Sequence, residues 1–420
     1  MNGIPEPDFN LAGDLFDALD RNTRSGAGIT RASYGTGEQF AHDLMAGAAR
    51  EAGLSISHDA TGNLYVTLKG RDPKAGTFII ASHLDSVPQG GNFDGAAGVI
   101  AGMAIVTAWK RSNFVPTHDV TVMCIRAEES TWFPYSYIGS KGALGLLPAD
   151  ALDVIRADTG RTLAAHIDDL GFDSNSVRKQ TAYLTVKDVK GYVELHIEQG
   201  PVLTGTDMPL ALVTGIRGSF RYREARIFGE YAHSGAVPRA YRHDAVVAAA
   251  DFITQLNAKW IDLESQGHDL TVTVGKFFTD AEHHAFSKIA GEVELCIDVR
   301  SHTRTTLAIV QKFTDELAAT IAAKHKVRFE LGALTGSEPA LMDGDLLNRF
   351  ATAAATLTIP HIKMASGAGH DAAVFAGAGI PSAMIFVRNQ NGSHNPDEAM
   401  QMEDFELAVR VLNRGLASFS

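Results

Sequence analysis

Four short apolar runs, each bringing metal-capable side chains to or just past its carboxyl end, constrain this chain more than any other feature of its sequence. The first, Phe78-Ile79-Ile80-Ala81, has the composition of a buried strand and leads into Ser82-His83-Leu84-Asp85. On an extended chain His83 and Asp85, two residues apart, point to the same side. A glycine-rich turn through Gly90 and Gly91 then reaches Asp94-Gly95. Imidazole and carboxylates at the end of a buried strand are the composition of a transition-metal site, with Asp94 free to bridge two ions.

The second run, residues 119–126, is followed at once by Glu128 and Glu129. Adjacent glutamates are ordinarily exposed helix charges. These sit at a strand exit beside Trp132, Phe133 and Tyr135, where a partly dry pocket would let one bind metal and the other take a proton. The third run, residues 192–200, sets Val193, Leu195 and Ile197 on one face and His196 on the other, between Glu194 and Glu198. The fourth, residues 382–387, leads to His394 within Arg-Asn-Gln-Asn-Gly-Ser-His-Asn-Pro-Asp-Glu. A lone histidine in such a run is usually structural. Independent structural histidines would not gather at equivalent places, and active sites of open α/β sheets assemble at the carboxyl ends of strands. The four runs are therefore read as one site on an α/β sheet.

Local signals set the frame around it. Thr36-Gly37-Glu38-Gln39 has capping-box spacing and opens a helix over 36–53. Residues 64–68 read as a strand, 96–109 as a buried helix whose amino end helps hold negative charge, and 402–417 as a helix striped by Phe405, Val409, Leu412 and Leu416. Ser366–Asp371 is a glycine-rich turn before a helix through Ala372–Ala376. Between 213 and 336 the pattern changes to strand 220–227, helix 244–260 with Val247, Ala250, Ile253 and Leu256 on one side, strands 270–277 and 292–300, helix 305–325 and strand 327–334. That β-α-β-β-α-β order is ferredoxin-like. Metal-capable residues lie on both sides of it, so 213–336 is expected to be a domain inserted into an α/β catalytic domain formed by 1–212 and 337–420. Its exposed sheet edge offers a dimer contact, and hinges are expected near 213–218 and 336–341.

A chain of 420 residues, 45% hydrophobic, can bury cores for two such domains. Its net charge of -12 leaves no basic footprint for nucleic acid. Cys124 and Cys296 lie in apolar strand-like runs and read as free buried thiols of a reducing compartment. The first ten residues lack the basic start and apolar block of a signal peptide, and no apolar run reaches membrane-spanning length. A cytoplasmic protein without membrane partners is expected.

The stretches SHLDSVPQGGNFDGAAGV, RAEES, ELHIEQGP, SGAGHDA and GSHNPDE resemble the signatures of the di-zinc amidohydrolases related to the aminoacylases and co-catalytic zinc aminopeptidases. Within that group they resemble the branch of N-carbamoyl-L-amino acid hydrolases, β-ureidopropionase and allantoate amidohydrolase, over nearly the whole chain. The resemblance implies a mixed-sheet zinc-peptidase-like catalytic domain with an inserted ferredoxin-like lid and dimerisation domain. It implies that His83 and His196 bind one metal, that Glu129 and His394 bind the other, and that Asp94 bridges them. Asp85 would orient His83 through its other ring nitrogen, and Glu128 would be general base and acid.

Two cations about 3.5–4 Å apart would share a water and lower its pKa toward about 7, so that a metal-bridging hydroxide attacks the substrate carbon. Zinc is the expected ion, with manganese, cobalt or nickel able to use the same ligands. The resemblance further implies that His233 donates to the oxyanion across a homodimer and that Arg300 grips the substrate carboxylate. It places His370, Gly369 and Ser287 at the substrate.

Departures fall in the inserted domain. Ala236-Val237-Pro238-Arg239 stands where relatives carry Thr-Thr-Pro-Met, His283-His284 stands for Pro-Asn, and Ser287 replaces an Asn. Ser130 follows the glutamate pair in place of Gly. The expected activity is hydrolysis of an N-carbamoyl-L-amino acid to amino acid, CO2 and NH3. Allantoate or another ureido acid is the alternative substrate, then an N-acyl amino acid or peptide. A non-catalytic binding protein would have lost a ligand or the base, and this chain retains all of them.

Overall fold

The computed structural model describes residues 3–419. The chain divides into two compact units, Met1–Thr214 with Leu341–Ser420, and Gly215–Ala340.

The first unit is built on a mixed sheet. Its strands lie in the spatial order Ser55–His58, Leu64–Leu68, Asp119–Ile125, Thr77–His83, Val189–Ile197, Ser382–Val387 and Leu210–Ile216. The central four, from Asp119–Ile125 to Ser382–Val387, are mutually parallel, with Ser82 opposite Cys124, Ile80 opposite Val193 and Ile385 opposite Leu195. Leu64–Leu68 and Leu210–Ile216 flank them antiparallel. Parallel strands are covered on both faces and so need near-continuous apolar sequence. Phe78–His83, Val120–Ile125 and all of Ser382–Val387 are buried without alternation. Each fully buried Ile or Leu here contributes about 1.5–3 kcal/mol.

The helix Ala96–Arg111 is buried at every position through Trp109, so it packs as an interior helix and not as an amphipathic one. Trp109 Nε1 donates to Asn413 Oδ1 at 2.8 Å on Met402–Ala417, whose Phe405, Val409, Leu412 and Leu416 are buried. Because the four central strands run in one direction, their carboxyl ends meet at one edge of the sheet.

One local expectation is corrected. The helix Thr36–Glu51 has Gly35 at its N-cap, and the Thr36 side chain caps nothing. Glu38, two positions on, reaches back to accept from Tyr34 N at 2.7 Å, while Gln39 is taken by Arg126 Nη2 at 2.6 Å. A buried guanidinium thus competed for the residue that a capping box requires.

The second unit is an antiparallel sheet ordered Thr271–Thr279, Glu292–Ser301, Gly218–Phe228, Arg328–Glu330, with Leu334–Ser337 also on Gly218–Phe228. Two helices, Ala245–Ser265 and Arg304–His325, complete a β-α-β-β-α-β connectivity. Burial along Glu292–Ser301 alternates strictly, as expected of a sheet with helices on one face only. The buried stripe of Ala245–Ser265 is Ala245, Ala248, Ala249, Phe252, Leu256 and Leu263, and Val247 is 50% exposed. Of the expected stripe Val247, Ala250, Ile253 and Leu256, Leu256 is buried and Ile253 packs on the core, whereas Val247 and Ala250 are exposed, because the small side chains of Ala245, Ala248 and Ala249 face the sheet in their place. Cys124 is buried and Cys296 partly buried, both free. Among the described residues no helix is long and apolar enough to cross a membrane.

Candidate metal centre

His83 ends one central strand, 2% exposed, and His196 lies at the penultimate position of the next. Their Nε2 atoms are 3.5 Å apart, and each is 3.3 Å from Asp94 Oδ1. Asp94 comes back to the sheet through Gly95, at φ 67 in the left-handed region, where a Cβ would lie 2.5 Å from the His83 ring. Only glycine permits that turn against that imidazole. The other oxygen of Asp94, Oδ2, faces His394 Nε2 at 3.5 Å, and His394 Nε2 is 3.1 Å from Glu129 Oε1. Thus two imidazoles gather on Oδ1 of Asp94, and His394 with its partner Glu129 lies on the side of Oδ2. Ligand-capable atoms of His83, Asp94 and His196 lie within 4.8 Å of one another, as do those of Asp94, Glu129 and His394.

This donor set fits divalent cations. His83 Nδ1 meets Asp85 O at 3.1 Å and His196 Nδ1 meets Ile197 O at 2.9 Å. A carbonyl only accepts, so each Nδ1 carries a proton, which leaves Nε2 as the atom that can offer a lone pair to an ion or take up a second proton. Gly95 N–H donates to His196 Nε2 at 3.2 Å, which agrees. Asp94 Oδ1 is buried and receives no hydrogen bond. A buried carboxylate oxygen between two imidazole nitrogens is costly unless positive charge sits there, whether a cation or a ring proton.

The field around the site is negative. Burial opposes charge on His83, yet Asp85, Asp94 and Glu128 outweigh it and hold the imidazole well above its usual range. Burial likewise opposes charge on Asp94, but His196 and His83 hold that carboxyl well below its usual range. Hydrogen bonding to Glu129 pushes His394, half exposed, up to about 9. Burial raises the Glu128 carboxyl well above the ordinary range, with Glu129 adding to it and His83 opposing.

Asp85 does more than face His83. Its Oδ1 accepts from Glu128 N at 3.1 Å, its Oδ2 from Glu129 N at 3.2 Å and from Ser33 Oγ at 2.6 Å. Several partners were not singled out from sequence. Gln199 Nε2 and Ser393 Oγ donate to Asp94 Oδ2 at 2.7 and 2.5 Å. Glu398 Oε1 accepts from Phe93 N and Asp94 N at 2.9 and 3.2 Å, and its Oε2 lies 2.6 Å from Ser393 Oγ, whose single proton serves one of the two carboxylates at a time. All three lie inside the motifs already quoted, so proximity to His196 and His394 was the available signal.

His370 is buried edge-on to His196, ring centroids 4.6 Å apart, with Nε2 3.0 Å from Ser366 Oγ. Burial, then the neighbouring His196, lowers it well below the usual imidazole range, so it is neutral. Gly369 lies against the Tyr137 hydroxyl, leaving no room for a side chain.

His233, Ser287 and Arg300 belong to the second unit. His233 is exposed in a short two-stranded ladder, Ala232–His233 with Lys288–Ile289, and Ser287 O accepts from Ser234 N. The Nδ1 of His233 accepts from Gly235 N and Ala236 N at 3.1 and 3.2 Å, which leaves Nε2 as the N–H donor. Arg300 pairs with Asp298 at 2.9 Å, a carboxylate it shares with Arg221.

Imidazoles and carboxylates gathered at the carboxyl ends of the parallel strands define an α/β fold with a candidate metal centre. Residues 79–418 match peptidase family M20/M25/M40, and the chain belongs to that metal-dependent family. It is 36% identical over 390 residues to an N-carbamoyl-L-amino acid amidohydrolase of Geobacillus stearothermophilus, covering 92% of each chain. It is 31% identical over 395 residues to an allantoate amidohydrolase of Escherichia coli K12, covering 92% of this chain and 91% of that one. A solved structure of a hydantoinase/carbamoylase family amidase from Burkholderia multivorans aligns with a TM-score of 0.88 at 26% identity, over 99% of this chain and 98% of that one.

Proposed function

We propose that the chain is a metal-dependent amidohydrolase that cleaves a linear carbamoyl C–N bond, converting an N-carbamoyl-L-amino acid and water to the amino acid, CO2 and NH3. The observation that carries this reading is the gathering of His83, His196, Glu129 and His394 around the two oxygens of Asp94. His83 and His196 would hold one ion, Glu129 and His394 a second, and Asp94 would bridge. Divalent ions bound there, zinc by the character of the donors, supply Lewis acidity and a water of lowered pKa.

Glu128 takes the proton of the attacking water and returns it to the departing nitrogen, which would otherwise leave as a very poor amide anion. Asp85 orients His83 and holds the backbone of the glutamate pair. His233, through its Nε2–H, donates to the developing oxyanion from a second copy of the chain. Arg300 recognises the substrate carboxylate, for which a guanidinium fork suits, with Ser287, Gly369 and His370 lining the substrate. The inserted domain, 213–336, serves as lid and dimer contact of a cytoplasmic homodimer.

Allantoate is the second reading, supported by the amidohydrolase relatives that carry that name. Metal-reconstituted protein is offered N-carbamoyl amino acids, allantoate, N-acyl amino acids and dipeptides in parallel, with ammonia reporting cleavage of the ureido compounds and the newly freed amino group reporting cleavage of the acyl and peptide substrates. Turnover should be greatest on an N-carbamoyl-L-amino acid. Hydrolysis confined to N-acyl or peptide substrates would overturn the reading.

A further inference from the structure

The turn that projects Glu128 and Glu129 is held on its amide side by side chains and on its carbonyl side by the backbone of residues 137–139. Arg126 N donates to Asn63 Oδ1 at 3.0 Å, Ala127 N to Glu38 Oε1 at 2.9 Å, and the amides of Glu128 and Glu129 to Asp85. On the other side, the carbonyls of Arg126, Ala127 and Glu128 accept from the amides of Gly139, Ile138 and Tyr137 at 3.0–3.1 Å. Ala127 itself has φ 51, in the left-handed region that an alanine rarely adopts. Something must hold it there.

Glu38 is placed to do so. It is fully buried in the first turn of Thr36–Glu51, with Oε1 on Ala127 N and Oε2 on both Tyr34 N and Arg126 Nη1 at 2.7 and 2.9 Å. Arg126 is fixed in turn by Gly62 O at 2.7 Å and Gln39 Oε1 at 2.6 Å, and its guanidinium lies over the rings of Phe172 and Tyr34. A buried carboxylate committed to one strained backbone amide and one buried guanidinium fixes the direction in which the next two residues leave the strand.

We propose that Glu38 is a positioning residue for the carboxylate pair: by clamping the left-handed turn at Ala127 it aims Glu128 at the reacting atoms and Glu129 at the metal. This rests on the roles given to Glu128 and Glu129 above. The geometry also makes glycine at 127 a direct probe, because glycine enters the left-handed region without help.

A double-mutant cycle of Glu38→Gln and Ala127→Gly tests the clamp, read by steady-state kinetics on an N-carbamoyl-L-amino acid and by Co2+ titration followed in the visible spectrum. E38Q should lower kcat roughly 10- to 100-fold with little change in KM, and should weaken binding of one Co2+ equivalent. In the A127G background the same E38Q change should cost much less on both readouts. Equal losses in the two backgrounds, or an E38Q protein with unchanged kcat and Co2+ binding, would overturn the proposal. If E38Q does not fold, Glu38→Asp, which keeps the charge and shortens its reach, takes its place in the cycle. The cobalt titration needs no turnover, so a wild-type protein inactive on ureido compounds would count against the hydrolase reading while the clamp was still decided.

Discussion

In the first unit the residues of the metal centre are mostly buried and held by partners distant in sequence, whereas the side chains of His233 and Arg300 in the second are more exposed and make their hydrogen bonds to residues two or three positions away. Asp94 alone receives Gln199 and Ser393 and faces His83, His196 and His394. His233, by contrast, is fixed by the amides of Gly235 and Ala236, and Arg300 by Asp298, its neighbour across one residue on the same strand. A network of the first kind cannot lose a member without stranding a buried charge. One of the second kind can change residue by residue while the sheet beneath it stays intact. The departures at Ala236, Val237, Arg239 and Ser287 fall in the second kind, where substrate preference can diverge without dismantling the metal chemistry.

That contrast can be broken at several points. The largest effect is expected at Glu128: Glu128→Gln should cut kcat by about 10²–10⁴-fold while metal content, read by elemental analysis, stays at the wild-type value. A variant that kept its turnover would remove Glu128 from the chemistry. In the second unit Arg300→Ala should raise KM about tenfold to a hundredfold, matching about 1.5–3 kcal/mol for a hydrogen bond to a charged group. Its melting temperature and metal content should stay near wild type. Loss of metal in this variant would erase the distinction between the units.

The smallest effect concerns stability alone. Lys324, His325 and Gln255 hold the Asp251 carboxyl below its usual range. A depressed carboxylate contributes stability above its unfolded pKa and loses it as pH falls through the folded value. Asp251→Asn should therefore lower the melting temperature by a few degrees at most at pH 7. The gap from wild type should close in strong acid, and calorimetry at the two pH values checks the sign.

Much of this was legible before any coordinates. Leu64–Leu68, Ser382–Val387 and Met402–Ala417 have the bounds read from their periodicity, because a run buried on both faces or a clean amphipathic stripe leaves little choice. The metal candidates were legible because each followed such a run. The face of Ala245–Ser265 was legible only in part: Leu256 and Ile253 lie on the core side, but the run of small apolar residues at its start let packing choose Ala245, Ala248 and Ala249 over Val247 and Ala250. Neither the part played by Glu38 nor the double hold of Asp85 on Glu128 and Glu129 was legible, because both depend on backbone amides that sequence separation hides.

The central claim is that two cations share Asp94, and counting them is its most direct test. Protein stripped with chelator and titrated with Zn2+ should bind two equivalents per chain and regain activity. His394→Ala, which removes a ligand from one side of Asp94 only, should retain one equivalent. Wild-type protein that binds a single ion, or a His394→Ala variant that still binds two, would contradict the account.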